Sequence, residues 1–167
     1  MSSTPAENTR HPPARNTVLA GLVGSGGGGR RAFVDATGTP VVLPATLRRV
    51  VATDDGVGAL LLGLGVPLTG CAATLADIEA VGAPRAPDPK AVAALRPDVI
   101  VTGAVGGVHD LANRRLVEAL RRVAPVVAVD VGRPTAAVAD LRAMFGAVVG
   151  GGPPAAEPVS DRRVGAP

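Results

Sequence analysis

The sequence predicts an α/β protein: an open, doubly wound, mainly parallel sheet preceded by an N-terminal β-hairpin. Three observations carry that prediction. Short Val-rich runs alternate with helical patterns from Val50 to Val149, the order a parallel sheet with right-handed crossover helices requires. Two of those runs, Val99-Ile100-Val101 and "PVVAVD" (125–130), are continuously apolar, as strands covered on both faces are. Ahead of them, "RAFVDATGTPVVLPA" sets two β-prone runs, Ala32–Val34 and Val41–Leu43, around a turn whose permissive residue is Gly38.

After the hairpin, "RVVAT" (49–53) is a short strand ending at Asp54-Asp55-Gly56. The acidic pair caps a helix from Val57 to Leu64 and complements its dipole. "VPLTGCA" (66–72) is the next strand, followed by a loop through Ile78 and Gly82. Asp88 is then an N-cap and Pro89 the first residue of a helix over Lys90–Leu95 that stops before Pro97. "HDLANRRLVEALRRVA" (109–124) places Leu111, Leu116, Val117, Leu120 and Val123 on one helical stripe. The 125–130 strand follows, and "TAAVADLRAMFGAVVG" (135–150) is a last helix. The expected organisation is a degenerate signal or linker over residues 1–30, an α/β lobe over 31–150, and a Pro- and Gly-rich disordered tail over 151–167.

Composition narrows the function classes. A chain of 167 residues suits one domain. Phe33 and Phe145 are its only aromatics, so the core is Val, Leu and Ala. No platform exists for stacking bases, and no nucleic-acid partner is expected. The net charge is +3, with arginines dispersed in pairs such as Arg48-Arg49, Arg114-Arg115 and Arg121-Arg122. Dispersed pairs read as solvated helix and loop flanks rather than a phosphate-binding stripe. A single cysteine makes no internal disulfide and leaves the redox compartment open.

No run approaches the ~18 apolar residues of a membrane span. The apolar stretch Val18–Val23 is shorter than a secretory h-region of ~7–15 residues, and the Gly26–Gly29 run after it reads as a flexible linker. "GALLLGLGVPLTGC" (58–71) ends in the Leu-Thr-Gly-Cys of a lipoprotein cleavage site. Asp54 and Asp55 interrupt the apolar run before it, so it reads as helix, turn at Gly65 and strand, with Cys71 unlipidated. "GSGGGG" (24–29) matches G-x-G-x-x-G, but an extended, turn-rich segment follows where a helix is needed. No G-x-S-x-G elbow occurs and Cys71 has no neighbouring histidine, so no enzyme activity and no cofactor are expected. His11 lies in the leading segment and leaves His109 without a second histidine for a metal site.

The hairpin "DATGTPVVLPA", then "RRVVAT", "LGVPLTG", "VGAPRAPDPKAVAALRPDVIVTG" and "RRVAPVVAVD" follow one another in a distinctive order. That order resembles the N-terminal lobe of the periplasmic substrate-binding proteins of ABC transporters, in the iron–siderophore and cobalamin branch. The resemblance covers about Ala32 to Gly150 and rests most on Asp35-x-Thr-Gly38 with Leu43-Pro44, and on Pro89 to Ile100 with its Leu95-x-Pro97-Asp98. It implies two α/β lobes bridged by one long helix, a ligand held in the cleft between them, and docking on a membrane permease driven by an ATPase. The expectation is therefore a monomeric solute-binding component of an importer for a small chelate, a ferric siderophore, present as the N-lobe only. The resemblance places it at the periplasmic side of the cell envelope, or in the cytoplasm if the N-terminal signal is not functional.

In open α/β sheets ligands bind beyond the carboxyl ends of the strands. The candidate ligand-binding residues are thus Thr53, Asp54 and Asp55 after the first strand, Cys71 after the second, Thr102 and His109 after the third, and Arg133 after the fourth. Arg133 is a partner for an anionic chelate, and the two aspartates are either contacts for a cationic ligand or plain helix caps. His109, at an expected helix start, is either a ligand contact or structural. Glu79 is a candidate for permease docking by its position before Gly82. Two alternatives stay open: a non-binding α/β remnant or partner-dependent fragment, and a Rossmann-type nucleotide-binding enzyme.

Overall fold

The computed structural model describes residues 29–146. The expected signal or linker up to residue 28, the end of the last helix and the expected tail lie outside the described residues.

The hairpin forms as β1 (Arg30–Val34) and β2 (Pro40–Pro44), with Phe33 opposite Val41. Asp35 builds its turn: Oδ1 accepts the amides of Thr37 and Thr39 at 2.9 and 3.0 Å and the Thr37 hydroxyl at 2.6 Å. Gly38 takes φ 77°, the left-handed region that costs glycine nothing.

The alternating part follows as β3 (Val50–Ala52), α1 (Asp55–Gly63), β4 (Leu68–Cys71), β5 (Glu79–Ala80), β6 (Gly82–Ala83), β7 (Ala86–Pro87), α2 (Pro89–Ala94), β8 (Val99–Val105), β9 (Val108–His109), α3 (Arg114–Arg121), β10 (Val126–Asp130) and α4 (Pro134–Phe145). The main sheet runs β10-β8-β3-β4-β5 with every neighbouring pair parallel, and β9 folds back antiparallel on the end of β8. Side chains alternate across it. Val50, Ala52, Val99, Val101, Val127 and Val129 meet Val57 and Leu61 of α1 and Leu141 and Met144 of α4 on one face. Val51, Ile100 and Val126 meet Val92 of α2 and Leu120 of α3 on the other. The sheet is doubly wound, as the sequence predicts.

Helix starts follow from caps. Asp54 Oδ1 accepts the Val57 amide at 2.8 Å and Asp88 Oδ1 the Lys90 amide at 2.9 Å, with Pro89 beginning α2. One expectation fails: residues 109–113 are not helical. The chain leaves β8 through Gly106 (φ 59°) and Gly107 (φ 80°), pairs His109 with Ala104, and starts α3 only where Asn113 Oδ1 accepts the Leu116 amide at 2.9 Å. Leu111 still packs against the core from outside the helix.

The two central strands are clamped at their amino ends. Asp98 Oδ2 accepts the Arg48 and Arg49 amides at 2.8 and 2.9 Å, while the Asp98 amide donates to the Arg49 carbonyl at 2.8 Å. Burial alone would raise the Asp98 pKa; the hydrogen bonds from the Arg48 and Arg49 amides and the charges of the two arginines outweigh it, and hold the carboxyl below its ordinary value. A depressed carboxylate contributes stability above its unfolded pKa, here 3.8, and loses it as pH falls through the folded value. Asp98→Ala is expected to cost about 1.5–3 kcal/mol at neutral pH, the range for hydrogen bonds to a charged group. Urea denaturation should show that difference shrinking as pH falls below 3.8.

Candidate functional site

The connections out of β3 and β8 diverge. From β3 the chain crosses through α1 to β4 on one side, and it later returns to place β8, then β10, on the other. The strand order thus reverses at β3 and β8, the place where doubly wound sheets bind ligands; here β9 and the turn at Arg85 lie over the carboxyl end of β3.

Thr53 follows β3 directly. Its amide donates to the Val101 carbonyl at 3.1 Å, its carbonyl accepts the Arg85 amide at 2.8 Å, and the residue is fully buried. Its hydroxyl is buried with no hydrogen-bond partner among the described residues. Asp54 is nearly buried by its capping role, and Asp55 stands exposed in the first turn of α1. On β8, Thr102 is fully buried and its hydroxyl donates to the Gly103 carbonyl at 3.2 Å. Gly103 leaves room for Val131, whose Cγ1 would lie 3.2 Å from a Cβ at that position.

Cys71 ends β4 but faces the core. The thiol donates to the Asp54 carbonyl at 3.3 Å and packs beneath Gly58 of α1. Burial first, then the charges of Asp54 and Asp55, push it up to about 11. His109 lies on β9 rather than at a helix start. Its Nε2 is 3.3 Å from Arg121 Nη2, and its Nδ1 is buried with no partner among the described residues. Burial lowers its pKa, the Asp35 charge opposes that and the Arg121 charge adds to it. Arg133 precedes α4, with Nε 2.7 Å from Asp130 Oδ2.

The sequence reading passed over Arg85. It occupies the tight turn between β6 and β7, at φ 62°, a region unusual for a residue with a side chain. Besides its amide bond to Thr53, its carbonyl accepts the Ala112 amide at 2.9 Å and its Nε lies 3.1 Å from Asp110 Oδ2. It ties the loop after β9 to the end of β3. The signal was present in Gly82-Ala-Pro-Arg85, a turn motif just ahead of the Asp88 cap. Asp54, Asp55, His109 and Arg133 thus share the carboxyl edge with Arg85, Thr53 lies fully buried beneath it, and Cys71 and Thr102 are buried in the packed interior.

Among the described residues no group of three or more His, Cys, Asp or Glu is placed to hold a metal ion, and no helix is long and apolar enough to cross a membrane. Two open hollows lie in the surface, one beside Thr39, Pro125 and the Arg121 that meets His109, and one beside Thr46, Arg48, Arg49 and Asp98. Concavity does not mark the carboxyl edge: the first hollow is mostly apolar, and the second is lined by Thr46 and by the charged groups of the Asp98 clamp.

No protein-family model and no curated protein matches the sequence. Solved structures do match. Holo-ViuP superposes with a TM-score of 0.59 at 22% identity, covering 70% of this chain and 44% of its own. The iron uptake ABC transporter substrate-binding protein PiuA from Streptococcus pneumoniae gives 0.52 at 24% identity, covering 66% of this chain and 43% of its own. The molybdate periplasmic binding protein MolA of a Haemophilus influenzae ABC transporter, bound to molybdate, gives 0.52 at 17%, covering 65% and 37%. The chain shares its fold with part of each of these proteins. The chain spans less than half the length of each of these binding proteins.

Two measurements check the site as built. Thr53→Val keeps the shape and removes a buried hydroxyl without a partner, so the variant should be more stable by about 1 kcal/mol in urea denaturation. A thiol with a raised folded pKa contributes stability that is present below the unfolded value of 9.0 and lost as pH rises through about 11. Wild-type stability should fall across that window, and Cys71→Ala should flatten the fall.

Proposed function

We propose that this chain is the N-terminal ligand-binding lobe of the solute-binding component of an ABC-type importer. The observation that carries the reading is the Thr53 hydroxyl at the carboxyl end of β3, where the strand order reverses, buried and without a partner among the described residues. Buried hydroxyls are normally satisfied, so one left unpaired at a binding edge fits a group that a ligand completes. The mechanism is non-covalent capture between this edge and a second lobe, with no bond made or broken, so the protein is not an enzyme. The ligand is a ferric siderophore, the partner is a membrane permease, and the lobe acts on the periplasmic side of the envelope. PiuA and MolA, whose fold it shares, are named for ABC transporters. Glu79, exposed on the edge strand β5, is positioned for a partner arginine.

Isothermal calorimetry of the purified chain against a panel of ferric chelates tests the reading. Saturable heat with at least one chelate is expected, weakened about tenfold in Thr53→Val, the equivalent of one lost hydrogen bond in a desolvated site. A folded chain that binds none of them overturns it. A thermal shift with a dinucleotide instead would mark a nucleotide-binding enzyme.

A further inference from the structure

The small sheet of β1 and β2 has two free edges among the described residues, and they are built differently. The Asp35 amide donates to the Thr39 carbonyl at 3.0 Å and the Ala45 amide to the Gly29 carbonyl at 2.6 Å. In this register the odd-numbered residues are the hydrogen-bonded pairs, and the even-numbered ones turn their backbone groups away from the partner strand. On β2 those residues are Pro40, Val42 and Pro44, and the two prolines have no N–H to offer. Proline blunts an edge in this way. On β1 they are Arg30, Ala32 and Val34, each with a donor and an acceptor, and none with a backbone partner among the described residues.

The outer face of the hairpin is as bare as that edge. Phe33 and Val41 pack inward on the core, whereas Val34 is 51% and Val42 56% exposed, with Ala32 and Pro40 exposed beside them. β2 faces the hollow beside Pro125 and Val126, which leaves β1 as the outer strand. An apolar edge with all its donors free is a template for one more strand.

The chain carries a segment that fits. Ahead of β1, outside the described residues, the sequence reads Thr17-Val-Leu-Ala-Gly-Leu-Val23 and then Gly24-Ser-Gly-Gly-Gly-Gly29. No charged residue occurs from Asn16 to Gly29, so nothing there opposes burial. Val18–Val23 is close to the length of the five-residue β1 and is apolar at odd and even positions alike. That composition suits a strand with one face continuing the Phe33 layer and the other the Val34 layer. The connector Gly24–Gly29 can span up to about 20 Å, against the roughly 4.8 Å between neighbouring strands, and its glycines permit the reversal. Tethering gives the segment an effective concentration on the order of millimolar, which favours it over a second copy of the chain.

We propose that Val18–Val23 adds antiparallel to the free edge of β1 as the third strand of this sheet. With Gly24–Gly29 as the connection, Val23 falls opposite Arg30, Gly21 opposite Ala32 and Leu19 opposite Val34. The segment then closes the one edge of the hairpin that proline leaves open.

Residue-resolved hydrogen exchange on the full chain tests this. The Ala32 and Val34 amides should exchange about tenfold more slowly, or slower still, than the Val42 amide on the blunted edge. Leu19→Asp combined with Leu22→Asp puts a charge on each face of the segment. It should erase that difference while the Ile100 and Val101 amides in the core of the main sheet stay protected. Wild-type Ala32 and Val34 amides that exchange as fast as Val42 overturn the proposal, whatever the variant does. Protection that survives the double substitution also overturns it, and if that protection rises with protein concentration the strand comes from a second copy.

Discussion

Everything in this fold depends on how β3 is registered against β8. The facing residues Val50, Val51 and Ala52 pair with Val99, Ile100 and Val101, and all six are fully buried. Burying a valine or isoleucine contributes about 1.5–3 kcal/mol relative to exposure, so this pair anchors the sheet. Yet apolarity on both faces specifies register weakly, because a slip of one residue exchanges one valine for another. The polar clamp supplies the specification. A carboxylate that must meet the Arg48 and Arg49 amides has one position along the strand, and Asp98 occupies it.

That registration fixes the opposite end too. With β3 ending at Ala52, β8 runs on to Val105, and the longer strand is left to pair with β9 where β3 has stopped. The gap above β3 is partly closed by the Arg85 turn, whose positive φ is held by backbone bonds on both sides. Strained residues persist where their surroundings over-determine them, and they gather at binding sites. The exposed valines of the β8–β9 hairpin and the unpartnered Thr53 are thus side effects of unequal strand lengths about a divergent crossover.

Much of this architecture was legible because the strands are continuous apolar runs and the helices carry their own caps. Asp54, Asp88 and Pro89 announce α1 and α2 within a few residues. The pairs β6–β7 and β8–β9 were not legible, since two-residue strands have no period to detect. They also explain the misplaced start of α3: Leu111 fits the helical stripe, yet it reaches the core from an extended segment. At the site, position after a strand was readable but orientation was not. Cys71 and Thr102 end or interrupt strands as Thr53 does, but the helix beside β4 and the continuation of β8 turn them inward. Asp98 looked like half of a Pro-Asp signature, and its real partners lie about fifty positions earlier in the chain.

The turn at Asp35 has a further consequence. Its second oxygen, Oδ2, accepts the Ala128 amide at 3.2 Å, and the Ala36 amide donates to the Ala128 carbonyl at 3.0 Å. Ala128 lies in the middle of β10, at the outer border of the sheet, where unpaired backbone groups would otherwise invite another chain to add itself. A local turn therefore stoppers the border against aggregation. The opposite border, at β5, is only two residues long, too short to template growth. This chain guards its solubility with backbone hydrogen bonds at one border and brevity at the other, and without the edge lysines that many sheets use.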